Sequence, residues 1–307
     1  MDLRDLRYFE TIAELEHIGR ATELLHRTQP ALTSCVRRLE QACGTALLEK
    51  SGRGVRLTPA GKVLHKWAQR LRFDLEDARR EIGDIGQGLS GHIRIGIVPT
   101  AAQFLLPPAA RELMRLAPEV TLRTVVGLID TLNPLLRAGE LDLVVGTEGP
   151  TEAGYTSQRL TEDQIVVAAS ATHEIFSRAS LTLESLGAYR WVLQPPGAPT
   201  RDWLDHTFDR MRLPRPRVQV ESTMLLMLPT LIAQTGLLSF ISRHHLDGAD
   251  SRSPLREVPL KDCTMHRRLV VSYRDSSYLL PATELLIRLL GEAGRGAEVL
   301  QAQAASD

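Results

Sequence analysis

Nine cationic side chains crowd into residues 20–66: Arg20, Arg27, Arg37, Arg38, Lys50, Arg53, Arg56, Lys62 and Lys66. Only Glu23, Glu40 and Glu49 oppose them, so the window carries a net +6. Guanidinium and ammonium groups at this density suit phosphate oxygens, which dominate the affinity of proteins for nucleic acid. A basic run is also often a plain solvated face, so the elements that carry it must decide. Farther along, Thr100, Thr147, Thr200 and Thr223 each stand close after an apolar run. A hydroxyl at such a place either caps the following helix or meets a ligand beyond the end of a strand.

Enzymatic chemistry has little to stand on. There is no nucleophile elbow, no Walker loop and no metal-spaced histidine cluster. His244 and His245 are adjacent, so one helix or strand face does not hold both; a surface or partner-facing role suits them better than a metal. The string Gly291-Glu292-Ala293-Gly294-Arg295-Gly296 follows a helix pattern rather than a strand, which fails the context of a dinucleotide loop. No catalytic residue, metal ligand or cofactor is expected.

The elements around the basic window are specific. Leu3, Leu6, Phe9, Ile12 and Ala13 share one helical face over residues 3–15. Ala21, Leu24 and Leu25 mark a second helix over residues 20–26. Thr28 and Pro30 open a third, as N-cap and first-turn proline, and Gly44 closes it. That third helix buries Leu32, Val36 and Leu39 and turns Gln29, Thr33, Ser34, Arg37 and Arg38 outward. Two short helices with a polar, arginine-bearing second member make a helix-turn-helix, whose second helix fits a major groove. Residues 47–50 and 55–57 then read as strands around Ser51-Gly52-Arg53-Gly54, a hairpin wing with Arg53 at its tip.

From Pro59 onward a long helix is expected. Leu64, Trp67, Leu71, Leu75, Ala78, Ile82 and Ile85 recur at intervals of 3 or 4, a coiled-coil seam. Its natural partner is the same helix of a second chain; packing on its own chain is the alternative. Gly83, Gly86, Gly88 and Gly91 suggest a hinge.

The chain has 307 residues, enough for two or three domains, with 43% apolar and 24% charged residues. The formal net charge of +0 would argue against nucleic-acid binding by bulk charge. It conceals the basic window, offset by −3 over residues 2–16 and by a further −3 from residue 67 on. Three cysteines, Cys35, Cys43 and Cys263, are too few for a disulfide framework, and Cys35 reads as a small helix residue rather than a redox switch. No signal-peptide core or membrane span is evident, so the cytoplasm is the expected compartment.

Residues 91–290 alternate strand and helix patterns, with strands near 93–98, 120–126, 141–146, 165–169, 191–194, 218–221, 237–241 and 269–273. This implies an α/β domain with mainly parallel sheets. Ligands in such sheets bind beyond the carboxyl ends of the strands. That singles out Thr100, Leu128, Ile129, Thr147, Thr200, Arg201 and Thr223. Arg201 is a candidate for a carboxylate or sulfonate, or else a plain surface arginine, with Leu128 and Ile129 as an apolar wall.

Three stretches, "LRYFETIAE", "ATELLHRTQPALTSCVRRLE" and "SGRGVRLTPAG", closely resemble the DNA-binding domain of LysR-type bacterial transcriptional regulators. "GHIRIGIVPT", "LRAGELDLVVG" and "VEST" sit where that family has like segments of its effector domain. The resemblance spans essentially the whole chain. It implies a winged helix-turn-helix over residues 1–58, a linker and dimerisation helix with hinge over 59–90, and a two-lobed, periplasmic-binding-protein-like domain over 91–307. The lobes would be 91–161 with 266–296, and 162–265, with chain crossings near 160–163 and 263–266.

It also implies DNA contacts at Thr28, Gln29, Pro30, Thr33, Ser34, Arg37, Arg38 and Arg53. A small-molecule effector, an organic anion with an apolar part, would occupy the cleft. The expected partners are promoter DNA, that effector, a second chain through residues 59–88, a tetramer of two dimers, and RNA polymerase; no membrane is expected. Thr33, Ser34 and Cys35 depart from the family's usual serine and arginine or glutamine, which leaves a less basic base-facing surface. His17 stands in place of a serine cap, which predicts a frayed start to the second helix. A plain solute-binding protein would have no use for the wing or the 59–88 helix.

Overall fold

A computed structural model describes residues 1–52, 54–84, 90–150, 153–178, 180–246, 254–275 and 278–304. The chain divides into two compact units, Met1–Gln87 and Gly88–Asp307.

In the first unit α1 (Leu3–Leu15), α2 (Ile18–Leu25) and α3 (Gln29–Cys43) precede a hairpin of β1 (Leu48–Ser51) and β2 (Gly54–Leu57), and α4 (Pro59–Asp84) follows. Phe9 and Leu39 lie in one apolar cluster and Ile12 and Leu32 in a second, with the half-buried Tyr8 and Leu48 packed against both. Asp5 on α1 takes a bidentate grip from Arg38 on α3, at 2.6 and 2.9 Å. The hydrogen bond from Arg38, ahead of its charge, holds the Asp5 carboxyl below the usual carboxylate range. The start of α2 is not frayed: His17 Nδ1 accepts the Arg20 N–H at 3.3 Å, so the imidazole does the work of the missing serine. Thr28 occupies the N-cap of α3 without a side-chain cap bond, and Gly44 ends the helix at φ 67°.

The wing is tied down by a close backbone approach. The Val55 N–H donates to the Glu16 carbonyl at 2.9 Å. A Cβ on Gly54 would stand 2.4 Å from that same oxygen. Gly54→Ala must therefore push the wing off the α1–α2 turn. A cost of about 1–3 kcal/mol, the range of overpacking, is expected as an earlier urea transition of the first unit. An unchanged midpoint would contradict the contact.

The second unit contains β3 (Ser90–Ile97), α5 (Pro99–Phe104), α6 (Leu106–Leu116), β4 (Glu119–Val126), α7 (Ile129–Arg137), β5 (Leu143–Thr147) and β6 (Tyr155–Ser170). There follow β7 (Arg190–Leu193), α8 (Pro199–Arg210), β8 (Arg217–Glu221), α9 (Leu228–Gln234), β9 (Ser239–Ser242), β10 (Leu255–Glu257), β11 (Met265–Arg274) and α10 (Pro281–Ala304). One sheet runs in the order β10-β6-β11-β5-β3-β4, with β9 also on β6; β7 and β8 form a parallel pair.

The expectation of mainly parallel sheets needs correction. Among the described strands β3 is parallel to β4 and β5, but β11 is antiparallel to β5 and β6, and β6 to β9 and β10. The reason is the return of the chain: β6 leads out of one half of the domain and β11 leads back beside it. The first half of β6 carries no apolar strand signal, because residues 155–164 are mostly polar, with one stretch on the surface.

Each half builds its own core. Ile93, Ile95, Ile97, Leu113, Leu132, Leu143, Val145, Leu286 and Leu290 fill one. Ile165, Val167, Trp191, Leu204, Phe208 and Phe240 fill another, with a smaller cluster around Val192, Leu228 and Ile232. Two cores under one sheet make the domain two-lobed. The glycine-rich string lies in α10, where a Cβ on Gly294 would stand 2.5 Å from the Leu160 carbonyl: it is a packing contact on β6. No described helix is long and apolar enough to cross a membrane.

Candidate functional site

Two surfaces concern function, one in each unit. On α3, Gln29, Pro30, Ser34 and Arg37 are exposed and Thr33 is half-buried. Thr28, just before the helix, is exposed as well. Arg37 has no partner among the described residues, so its guanidinium is available to a phosphate or a base edge. Arg38 is placed differently: besides Asp5 it donates to Ser34 Oγ at 3.0 Å, so it braces the helix although half of its side chain is exposed. Arg53 lies outside the described residues, as does Ile85 of the seam.

Along α4 the apolar positions divide by face. Ala68 and Phe73 are buried in their own unit and Leu64 packs partly against its core. Trp67, Leu71, Leu75 and Ile82 are 53%, 41%, 40% and 69% exposed, a stripe without cover in one chain.

The second unit holds a cavity of about 1200 Å³. Thr100, Leu128, Ile129, Thr147, Thr200 and Thr223 all line it. The reason is topological: each stands at or beyond the end of a strand of one lobe or the other, and the strand ends meet across the cleft. Arg201 is not among the lining residues. It is buried on α8, donating to Asp205 Oδ2 at 2.9 Å and to the Gln194 carbonyl at 3.3 Å. The i,i+4 spacing on α8 supplied Arg201 with a carboxylate from its own helix. Thr200 donates to the side-chain oxygen of Gln194.

Several lining residues were not foreseen. Arg267 on β11 sits opposite Asp163 on β6 in register, and the pair closes at 2.6 and 2.8 Å with Asp163 fully buried. Arg267 also donates to Thr100 Oγ1 at 3.3 Å. Ser242, at the end of β9, donates to Asp163 at 2.6 Å. His245 follows it and lines the cavity, and burial pulls its imidazole below the ordinary histidine value. His244 stacks on Phe104 of the other lobe, ring centroids 3.7 Å apart. Neither histidine is simply a surface residue. A usable signal was present: both follow a strand end, the rule that found the threonines. Asp163 and Arg267 were signalled by charges in the middle of the two crossing segments.

Cys35 and Cys263 are buried, and burial pushes both thiols up to about 12. They are protonated at neutral pH, hence poor nucleophiles toward an oxidant.

Residues 3–62 match the bacterial regulatory helix-turn-helix protein, lysR family, and residues 86–295 match the LysR substrate binding domain. The transcriptional regulator CfxR of Cupriavidus necator is 30% identical over 288 residues, covering 92% of this chain and 89% of that regulator. XapR of Escherichia coli is 36% identical over 198 residues, 64% of this chain and 67% of that one. A full-length OxyR variant from Pseudomonas aeruginosa superposes with a TM-score of 0.67 at 26% identity, covering 96% of this chain and 95% of that one. A helix-turn-helix ahead of a two-lobed α/β domain, matched along nearly its whole length by such regulators, makes this chain a member of the LysR family of DNA-binding transcriptional regulators.

Proposed function

We propose that the chain works as a cytoplasmic homodimer in which α4 of one subunit pairs with α4 of the next through Trp67, Leu71, Leu75 and Ile82. Residues 1–58 read the operator, with Thr28, Gln29, Pro30, Thr33, Ser34 and Arg37 toward the major groove and Arg53 on the wing along phosphates. Arg38 supports that helix through Asp5 while keeping one edge near the DNA. Half-sites are then spaced by about one helical turn, ~10 bp, or multiples of it. Two dimers assemble as a tetramer, and effector binding resets the lobes and dimers, hence the DNA bend seen by RNA polymerase.

The observation that carries the sensor half is the cavity at the strand ends, large enough for a small molecule and lined by Thr100, Leu128, Ile129, Thr147, Thr200 and Thr223. Residues 59–90 act as the linker and 91–307 as the sensor in this reading. It is tested by a thermal-shift screen of organic acids, sulfonates and sugars on the full chain, repeated with Thr100→Val. A hit that stabilises the wild type is expected to lose most of its shift in the variant, while operator affinity in a gel or anisotropy titration is kept. Equal binding of the hit by both proteins in calorimetry would place the effector elsewhere.

A further inference from the structure

The cleft floor is a continuous polar chain. Arg267 commits Nε and Nη2 to Asp163, and Nη2 also reaches Thr100 Oγ1 at 3.3 Å. Asp163 accepts from Ser242 Oγ, and His245 Nδ1 lies 3.1 Å from the Ser242 carbonyl. Three hydrogen-bonding valences of this chain remain unspent. Arg267 Nη1 has no partner among the described residues. Thr100 Oγ1 accepts from Arg267, which leaves its O–H to donate. A carbonyl can only accept, so His245 carries a proton on Nδ1, and burial favours the neutral ring. Nε2 is then a bare acceptor, with no partner among the described residues. Two donors and one acceptor thus line the same cleft, with His245 near enough to feel the charges of Arg267 and Asp163.

Charge narrows the ligand further. Besides His245 and His266, the charged wall residues are Asp130, Glu148 and Glu162 against Arg137, Arg267 and Arg268, three of each sign, with Asp163 already against Arg267. With no surplus of arginine, such a wall penalises a second carboxylate more than a first, so a single carboxylate must be held by hydrogen bonds rather than by net charge. Leu128, Ile129 and Phe240 give an apolar flank.

We propose that this cleft takes a small hydroxylated monocarboxylate: one carboxylate oxygen on Arg267 Nη1 and Thr100 Oγ1, a neighbouring hydroxyl donating to His245 Nε2, and an alkyl or aryl remainder on the apolar flank. His245 is the residue that selects the hydroxyl. The proposal rests on the cleft being the effector site.

The test is calorimetry on the full chain with three matched probes. 3-Phenyllactate has the hydroxyl, 3-phenylpropionate lacks it, and benzylmalonate carries a second carboxylate in its place. 3-Phenyllactate is expected to bind about tenfold tighter than either of the others, the worth of one good hydrogen bond. His245→Phe is expected to remove that preference by weakening 3-phenyllactate alone, and His245→Gln, whose amide oxygen can accept, to retain most of it. Tightest binding of benzylmalonate, a preference that survives His245→Phe, or no binding of 3-phenyllactate at millimolar concentration overturns the proposal. Ile129→Trp, which fills the cleft, separates the two levels. If 3-phenyllactate binds that variant as well as wild type, the cleft reading itself fails. If benzylmalonate is the tighter ligand and Ile129→Trp abolishes its binding, only the ligand class fails.

Discussion

Leu71→Glu is expected to convert the protein to a monomer at micromolar concentration and to weaken operator binding by about 10²–10⁴-fold. Leu71 lies in the exposed α4 stripe between Trp67 and Leu75, 41% accessible in the single chain. A glutamate there costs the isolated subunit little, because its side chain stays in water. In a paired helix it would place two carboxylates in an apolar seam, and like charges there are strongly unfavourable. Loss of pairing converts the second half-site contact from an intramolecular event to a separate one, which is where the affinity goes. Light scattering reads the mass and an anisotropy titration reads the affinity. A dimer that survives Leu71→Glu with unchanged operator affinity would mean that the stripe faces something other than a second α4.

Asp163→Ala is expected to destabilise the second unit by about 3–5 kcal/mol, the cost of leaving a buried charge unpaired. Asp163 is fully buried, accepts two charge-assisted bonds from Arg267 at 2.6 and 2.8 Å, and holds Ser242 at 2.6 Å. Arg267 has only 14% of its side chain exposed, so water from the cleft can replace only part of the lost carboxylate. The contrasting variant is Asp163→Leu with Arg267→Met, which removes both charges. It should recover most of the stability, since a buried ion pair is often no better than an apolar pair of like volume. It should nevertheless lose effector response, because the Nη1 donor has gone. Urea unfolding of the full chain gives the stability, and a promoter-reporter assay the response. If Asp163→Ala alone unfolded at the wild-type midpoint, the pair would be solvated rather than buried.

How much could be read in advance differs between the units. In the first, elements follow one another at short range: helical spacing, the Gln29-Pro30 corner, Gly44 and the hairpin turn are local signals, and each structural element falls within a few residues of its expected place. The exception was the start of α2, where a serine cap was missing and His17 Nδ1 took its place. The brace from Arg38 to Asp5 was not legible either, because the two lie 33 residues apart on different helices. In the second unit the strand-end rule located six lining residues, since the chain's alternation of strand and helix fixes where the strand ends are.

What sequence alone determined was therefore the set of elements, the family-like motifs and the polar positions at their ends. Those depend on hydrophobic period, caps and turn residues within reach of one another along the chain. What only the tertiary structure decided was pairing between distant segments. It set the antiparallel return of β11 beside β6, the match of Asp163 with Arg267 across 104 residues, the private carboxylate that takes Arg201 out of the cleft, and the free edge of His245. Each is a choice among charged or polar partners that sequence presents in excess, and only proximity in the folded chain selects which of them meet and which are left for a ligand.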